Sequence, residues 1–197
     1  MPHTALVKSR IPSVYGDFDM WAFASAVESM PHVVLTSKSF DVSQAVSVRI
    51  HSECMTGDVF GSKRCDCGQQ LQNALRYIEK HGGALIYLRQ EGRGIGLVHK
   101  LEAYNLQDQG LDTVEANHKL GFQADERSYH EAIEILKALG VSTVRLISNN
   151  PAKIDALSKA GIQVVEQIYL PTESFDENQG YLKAKVDKMG HIFPSHL

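Results

Sequence analysis

The chain has 197 residues, of which 43% are hydrophobic and 22% charged, and its formal net charge is −3. Such a composition is globular, and the length supports one hydrophobic core without disulfides, so we expect a single domain over residues 1–197. The acidic balance argues against a surface that coats nucleic acid, and the sequence shows neither a secretion signal nor an apolar run of membrane-spanning length; we therefore expect a cytoplasmic protein with no nucleic-acid or membrane partner.

The predicted elements alternate between strands and helices along most of the chain. Short β-type runs fill the first forty residues, around a turn at Gly16. Residues 45–53 alternate apolar and polar side chains, which predicts a strand, and the apolar spacing from residue 68 predicts a helix that stops at Gly82 and Gly83. Further along we predict strands over 84–88, 143–147 and 162–168, helices after 97, over 129–139, from 151 and over 181–188, and an irregular segment over 112–125. This order predicts a mixed α/β domain with a mixed sheet flanked by helices.

All three cysteines of the chain, Cys54, Cys65 and Cys67, lie within fourteen positions of one another. Three thiolates around zinc leave the fourth tetrahedral position free for water, and Cys-x-Cys is too tight for the usual redox motif. The pattern therefore indicates a catalytic zinc site. Two alternatives stay open, a structural site with His51 as the fourth ligand and a set of free thiols.

Two other segments have the pattern of ligand-binding turns. Gly92, Gly94 and Gly96 precede a helix, but Leu97 stands where a dinucleotide fingerprint needs its third glycine, which leaves a turn suited to close backbone approach or simply a tight turn. Asn150 and Pro151 predict a capped helix start. Such a start attracts anions, and Lys153 would reinforce it, although the pattern is also that of an ordinary cap. Tyr104 shares a predicted helix face with Leu97 and Leu101, and by default is a core aromatic residue.

Taken together, several ordered motifs resemble the GTP cyclohydrolase II family, over nearly the whole chain. The matching stretches are Arg49-x-His51-Ser52-Glu53-Cys54-x-Thr56-Gly57-Asp58, Arg64-Cys65-Asp66-Cys67-Gly68, Arg89-Gln90-Glu91-Gly92-Arg93-Gly94-Ile95-Gly96-Leu97, Gln107-Asp108-x-Gly110-x-Asp112-Thr113-Val114-Glu115-Ala116-Asn117, Leu120-Gly121-Phe122-x-Ala124-Asp125-x-Arg127 and Asn149-Asn150-Pro151-x-Lys153.

The resemblance implies that GTP and water become formate, pyrophosphate and 2,5-diamino-6-(5-phosphoribosylamino)pyrimidin-4(3H)-one, the first step of riboflavin biosynthesis. It implies one Zn²⁺ per chain on the three cysteines, Mg²⁺ with the GTP triphosphate, and a homodimer. The implied catalytic residues are Tyr104, Asp125 and Arg127. The implied GTP-contacting residues are Arg49, Ile50, His51, Ser52, Glu53, Gln70, Glu91, Gly92, Arg93, Thr113, Ser148 and Lys153.

The role of Arg127 has two interpretations. The family proposal makes it a nucleophile at the α-phosphate, with Asp125 taking its proton. Because guanidinium stays protonated at any working pH, a charge clamp on the departing pyrophosphate is physically easier.

Two alternative functions follow from the same motifs. The enzyme could stop at the ring-opened formamidopyrimidine, or the chain could be a non-catalytic GTP-binding module with structural zinc. The segment 171–180 lacks the Arg-Asn-Pro-like pattern of many family members, which leaves the role of the tail from about 171 to 197 open. The chain also lacks the dihydroxybutanone phosphate synthase domain of bifunctional relatives, so we expect the single-activity form.

Overall fold

A computed structural model describes residues 4–25 and 30–189. The chain divides into two compact units, and each is built from three separate stretches of sequence. The first unit is Met1–His51, Leu71–Arg89 and Tyr129–Leu170, and the second is Ser52–Gln70, Gln90–Ser128 and Pro171–Leu197. The expected single domain over 1–197 stays a prediction.

The first unit is built on a mixed β-sheet, as the sequence predicts. Its described strands are β1 (Ala5–Ser13), β2 (Gly16–Phe23), β3 (His32–Ser37), β4 (Val46–Ser52), β5 (Ala84–Leu88), β6 (Thr143–Ile147) and β7 (Gln163–Ile168). They lie in the order β1-β2-β3-β5-β4-β6-β7. The pairs β1–β2, β2–β3 and β3–β5 are antiparallel, whereas β4–β6 and β6–β7 are parallel. The prediction of a mixed α/β fold is confirmed.

Apolar clusters cover both faces of this sheet. On one face the alternate residues Val46, Val48 and Ile50 of β4 pack in a cluster that also takes residues from two helices, α5 (His130–Ala138) and α6 (Pro151–Lys159). On the other face Leu85 and Ile147 pack with residues of α2 (Cys67–His81). The polar face of β4 is buried as well, since Ser47, Arg49 and His51 are at most 8% exposed.

The second unit contains short helices joined by turns. Its helices are α1 (Met55–Asp58), α3 (Gly96–Asp108), α4 (Thr113–Lys119) and α7 (Gln179–Met189), with 3-10 turns over Glu91–Gly94 and Asp176–Asn178. The irregular segment predicted over 112–125 is wrong in its first part, because α4 occupies it. The cap that starts α4 is reciprocal: the Asp112 carboxylate accepts from the Val114 and Glu115 backbone N–H groups, and the Glu115 carboxylate accepts from the Asp112 N–H. This Asp-x-x-Glu spacing was available in the sequence.

The face predicted for α3 is also wrong. Leu101 is 45% exposed, whereas Lys100, the neighbouring residue, is only 8% exposed. The buried side of this helix therefore faces polar partners, which are described with the site. Over the described residues no helix has the length and apolar character to cross a membrane. The cytoplasmic location stays a prediction.

Candidate active site

The three cysteines come together in the second unit. Their sulfur atoms all lie within 4.8 Å of one another, and the sulfurs of Cys54 and Cys65 are 3.6 Å apart. Two sulfurs bound to one tetrahedral zinc at about 2.3 Å are about 3.8 Å apart. The three side chains therefore fit a zinc ion. Within the described residues, they are the cluster of three potential ligands that lie close enough together to bind one ion.

Backbone geometry brings the cysteines this close. Cys54 ends the chain segment before α1, and its backbone N–H donates to the Asp58 carboxylate. Inside α1, a Cβ added to Gly57 would lie 2.9 Å from the Cys65 sulfur and 3.3 Å from the Cys54 sulfur. A side chain at position 57 would displace these sulfurs, which explains why glycine stands at this position of the motif.

Contacts among the three thiols shift their pKa values in different directions. Hydrogen bonds from Cys65 and Cys67 and the charge of Lys100 hold the pKa of Cys54 far below its ordinary value. The hydrogen bonds to Cys54 raise the pKa values of Cys65 and Cys67, and burial adds to the effect. A metal ion that takes all three as thiolates must therefore displace protons, so its affinity should rise with pH.

Lys100 of α3 is a site residue that sequence reasoning missed. Its ammonium lies 3.1 Å from the Cys54 sulfur, 2.9 Å from the Thr56 hydroxyl oxygen and 2.8 Å from a Glu91 carboxylate oxygen. The Glu91 carboxylate also accepts from the backbone N–H groups of Met55 and Gly92. The signal that could have found it is its position one turn before Tyr104 in the same helix.

Tyr104 lies beside two cations. The Arg64 guanidinium is 4.5 Å from the centre of its ring and the Lys100 ammonium is 5.8 Å away. Arg64 is itself paired with the Asp108 carboxylate. Burial raises the pKa of Tyr104 to about 12, against a smaller lowering effect of Lys100. The phenol is therefore protonated at neutral pH and can donate a proton. Tyr104, which spacing alone predicts to be a core aromatic residue, thus has a polar environment.

The glycine-rich segment forms a turn with left-handed backbone. Gly92 and Arg93 have φ values of 61° and 62°, a conformation that costs a side-chain-bearing residue about 1 kcal/mol or more. The Arg93 carbonyl accepts from the Glu126 N–H, and its Nη1 donates to the Ala124 carbonyl. Its Nη2 is buried and has no hydrogen-bond partner among the described residues. This guanidinium therefore has a donor to offer an anion.

Asp125 and Arg127 form a bidentate ion pair. The Arg127 Nε donates to one carboxylate oxygen of Asp125 at 2.8 Å, and Nη2 donates to the other. The Arg127 backbone N–H also binds this carboxylate. Burial alone would raise the pKa of Asp125, but the hydrogen bonds and charge of Arg127 lower it overall. Both groups are thus ionised at neutral pH.

One cavity of the second unit collects these side chains, with a volume of about 90 Å³. A cavity of this size has room for several waters or for part of a larger ligand. Eleven of the predicted site residues line it: Ser52, Glu53, Cys54, Cys65, Cys67, Glu91, Gly92, Arg93, Tyr104, Thr113 and Arg127. The residues that sequence reasoning did not include are Ile95, Lys100, Ala103, Gln107, Asn117 and Tyr181.

Two predicted residues of the second unit do not line this cavity. Asp125 is held beside Arg127, as described above. Gln70 donates from its side-chain amide to the Asp66 carboxylate at 2.6 Å, and its backbone N–H donates to the Asp66 carbonyl at the start of α2. The amide of Gln70 thus orients the residue that lies between Cys65 and Cys67.

The other predicted residues belong to the first unit. Arg49 donates to the Ile147 carbonyl at 3.2 Å, and the His51 ring stacks on Tyr87 with centroids 5.5 Å apart. His51, one candidate for a fourth ligand, thus has an aromatic partner in its own unit. The Lys153 ammonium donates to the Ile50 carbonyl at 2.7 Å.

Ser148 lies at the start of the predicted capped helix. Its hydroxyl accepts from the Asn150 N–H at 3.1 Å. Asn150 in turn caps α6, since its side-chain oxygen accepts from the Ala152 N–H, and Pro151 is the first helical residue. The predicted helix start is confirmed.

Comparison with known proteins gives close relatives. A sequence model of the GTP cyclohydrolase II family matches residues 4–169. The chain is 51% identical over 187 residues to the riboflavin biosynthesis protein RibBA of Chlorobium phaeovibrioides, which covers 94% of this chain and 46% of that protein. It is 48% identical over 190 residues to RibBA of Bacillus cereus, with 96% and 48% covered. Identity to the GTP cyclohydrolase-2 of Hahella chejuensis is 48% over 197 residues, with 100% and 95% covered.

The chain thus spans about half the length of the two RibBA proteins. Among solved structures, RibBX of A. baumannii, a two-domain 3,4-dihydroxy-2-butanone 4-phosphate synthase, matches with a TM-score of 0.45 and 18% identity over 88% of this chain and 41% of that one. A likeness at this level says nothing about activity.

Proposed function

The chain belongs to the GTP cyclohydrolase II family, and on that premise we propose that it is a zinc-dependent hydrolase that opens the imidazole ring of GTP. The products would be 2,5-diamino-6-(5-phosphoribosylamino)pyrimidin-4(3H)-one, formate and pyrophosphate, made in the first step of riboflavin biosynthesis. The observation that carries this proposal is the meeting of three cysteine sulfurs with Tyr104, Arg93 and Arg127 in one cavity.

The metal would be held by Cys54, Cys65 and Cys67. Zinc, when bound there, would supply Lewis-acid activation of water, and Mg²⁺ would accompany the GTP triphosphate. Three thiolates exceed the charge of zinc by one, so the side chains around the metal have to assist the hydrolysis.

Tyr104 would act as a proton donor. Its phenol carries its proton at any working pH, because burial raises its pKa to about 12. It lies on the helix that also carries Lys100, and both residues line the cavity with the cysteines. A donor in this place suits protonation of a ring nitrogen as the imidazole opens.

Arg127 and Arg93 would bind the phosphates. Arg127 is fixed by Asp125 on two nitrogens, which suits a charge clamp on the departing pyrophosphate rather than a nucleophile. Arg93 offers its buried Nη2 donor. Asp125, ionised and paired, would keep Arg127 oriented and could accept a proton. The other proposed GTP contacts on this unit are Ser52, Glu53, Gln70, Glu91, Gly92 and Thr113, and all of these except Gln70 line the cavity.

The proposed GTP contacts of the first unit are Arg49, Ile50, His51, Ser148 and Lys153. Lys153 is buried, and its ammonium donates to the Ile50 carbonyl at 2.7 Å. The homodimer implied by the family resemblance is part of the same proposal, and sedimentation equilibrium measures it directly.

The test is an assay that follows formate, pyrophosphate and the pyrimidine together in the presence of GTP, Mg²⁺ and Zn²⁺. We expect all three products from the purified protein. In Cys65→Ser, turnover should fall by more than about 100-fold, the upper end for residues that only orient metal ligands, while the chain stays folded. Val59→Ala, a change at a position 70% exposed in the same loop, is the matched control and should keep full activity.

Other outcomes identify the alternatives. A product that retains the formyl group indicates the variant that stops at the formamidopyrimidine. GTP binding with no turnover, together with unfolding of Cys65→Ser, indicates a binding module with structural zinc. Absence of formate and pyrophosphate under all metal conditions contradicts the proposal.

A further inference from the structure

The burial of Lys100 has to be explained by its partners. A lysine that is 8% exposed is rarely found unless its charge is compensated, because desolvation of an ammonium costs several kcal/mol. The helix also exposes Leu101 at the next position, which is the reverse of the usual apolar preference. The local sequence therefore places a cation inside the unit at the expense of an apolar contact.

All three N–H donors of the ammonium have acceptors. One is the sulfur of Cys54, one is the hydroxyl of Thr56, and one is the carboxylate of Glu91, at distances from 2.8 to 3.1 Å. Glu91 is fixed in turn by the backbone N–H groups of Met55 and Gly92. The ammonium is thus held in one orientation, with one N–H directed at one of the three sulfurs.

We propose that Lys100 is a positioning residue of the metal site, which acts through a charge-assisted hydrogen bond to the Cys54 sulfur. This inference rests on the proposed function, because it requires a metal on the three cysteines. A hydrogen bond to a thiolate draws electron density from the sulfur and weakens its donation to the metal. The metal would therefore be a stronger electrophile than a metal bound by three thiolates that lack such a hydrogen bond.

The contact is specific to one ligand. Among the described residues, the Lys100 ammonium donates to the sulfur of Cys54. The thiols of Cys65 and Cys67 interact with the other cysteines of the cluster. The same ammonium lies 5.8 Å from the centre of the ring of Tyr104, the proposed proton donor. Lys100 therefore connects the metal ligand, the Glu91 turn and Tyr104.

The experiment replaces Lys100 and measures the metal directly. Lys100→Met removes the donor and keeps a long side chain; Lys100→Gln keeps an N–H donor without the charge. Zn²⁺ affinity is measured by competition with a chromophoric chelator, and the thiolate-to-metal charge-transfer band is recorded after loading with Co²⁺. Leu101→Met, which introduces the same residue at the exposed neighbouring position, is the matched control.

We expect Lys100→Met to bind Zn²⁺ about tenfold or more weakly, because the buried Cys54 thiolate loses the cation that compensates its charge. The Co²⁺ charge-transfer band should shift to longer wavelength, because a thiolate without the hydrogen bond gives up its electrons more readily. Lys100→Gln should fall between Lys100→Met and the unchanged protein, and Leu101→Met should match the unchanged protein. A purely structural role predicts less bound cobalt with no shift of the band.

The outcomes separate the two proposals. If the unchanged protein binds neither Zn²⁺ nor Co²⁺ through its thiols, the proposed function fails. If it binds them and both Lys100 variants keep the same affinity and band position, the role of Lys100 is overturned while the proposed function stands. Should Lys100→Met not fold, as judged by circular dichroism, Lys100→Gln decides by the same band.

Discussion

The two compact units differ in how many apolar side chains they bury. In the first unit the sheet carries two apolar clusters, one on each face, with residues such as Ile86, Leu136 and Ile78 inside. In the second unit, within the described residues, the buried set includes Cys54, Cys65, Asp66, Lys100 and Asn117 and few aliphatic side chains.

This difference changes what stabilises each unit. Apolar burial contributes about 25 cal/mol per Å² without needing a specific partner. Buried polar groups stabilise a fold only when each has its partner, and a group left without one costs about 1–3 kcal/mol. The first unit buries polar side chains too, among them Arg49, His51 and Lys153, but its two apolar clusters also stabilise it. The second unit should therefore depend more than the first on its hydrogen-bond network and on a bound metal.

The largest expected effect is that of metal removal. We expect a chelator to lower the hydrogen-exchange protection of amides in α1 and α3 by more than about 100-fold without unfolding the chain, because a metal that binds only the closed site stabilises it against local opening by mass action. Amides of β4 and β6 should keep their protection. Mass spectrometry of exchanged peptides measures both, and the same chelator pre-loaded with zinc is the control. Equal loss in the two units would contradict the comparison.

A cavity in the apolar core of the first unit should have the second largest effect. Leu136 is fully buried in α5, so Leu136→Ala should lower the free energy of unfolding of this unit by about 2–5 kcal/mol. Urea denaturation measures it, with Val14→Ala, at a position 93% exposed, as the control. Zinc affinity should not change. A large loss of zinc affinity with little loss of stability would show that the contrast between the units is wrong.

The smallest expected effect is steric and local to the metal site. In Gly57→Ala the new Cβ would lie 2.9 Å from the Cys65 sulfur, so the sulfurs have to move by a few tenths of an ångström. We expect zinc affinity to fall about tenfold, which corresponds to about 1.4 kcal/mol. Gly180→Ala is the matched control, because its Cβ would meet nothing within 4 Å. Competition with a chelator measures both variants, and equal affinities would contradict this role of Gly57.

Sequence patterns predicted the first unit better than the second, for the same physical reason. Periodicity reports apolar burial, so the alternation along β4 and the helical spacing of α2 gave the right elements. In α3 the same logic failed, because the buried position belongs to Lys100, whose partners Cys54 and Thr56 lie 46 and 44 residues away in the sequence.

The site followed a similar division. The clustering of three cysteines predicted a metal-ligating group, and their sulfurs do converge. The left-handed backbone of Arg93 could not be predicted, since most non-glycine residues avoid it and it is imposed by contacts with Ala124 and Glu126. Tyr104 was assigned to the core by spacing, although its neighbours are two cations.

The interleaving of the units also bears on how the protein can be made and divided. The chain passes from one unit to the other at residues 51/52, 70/71, 89/90, 128/129 and 170/171. Every contiguous fragment that contains one complete unit also contains parts of the other, so neither unit can be cloned alone or released by a single proteolytic cut. During synthesis the segment that carries the three cysteines, residues 52–70, leaves the ribosome long before α7. Its unit is therefore complete only after that helix has been made.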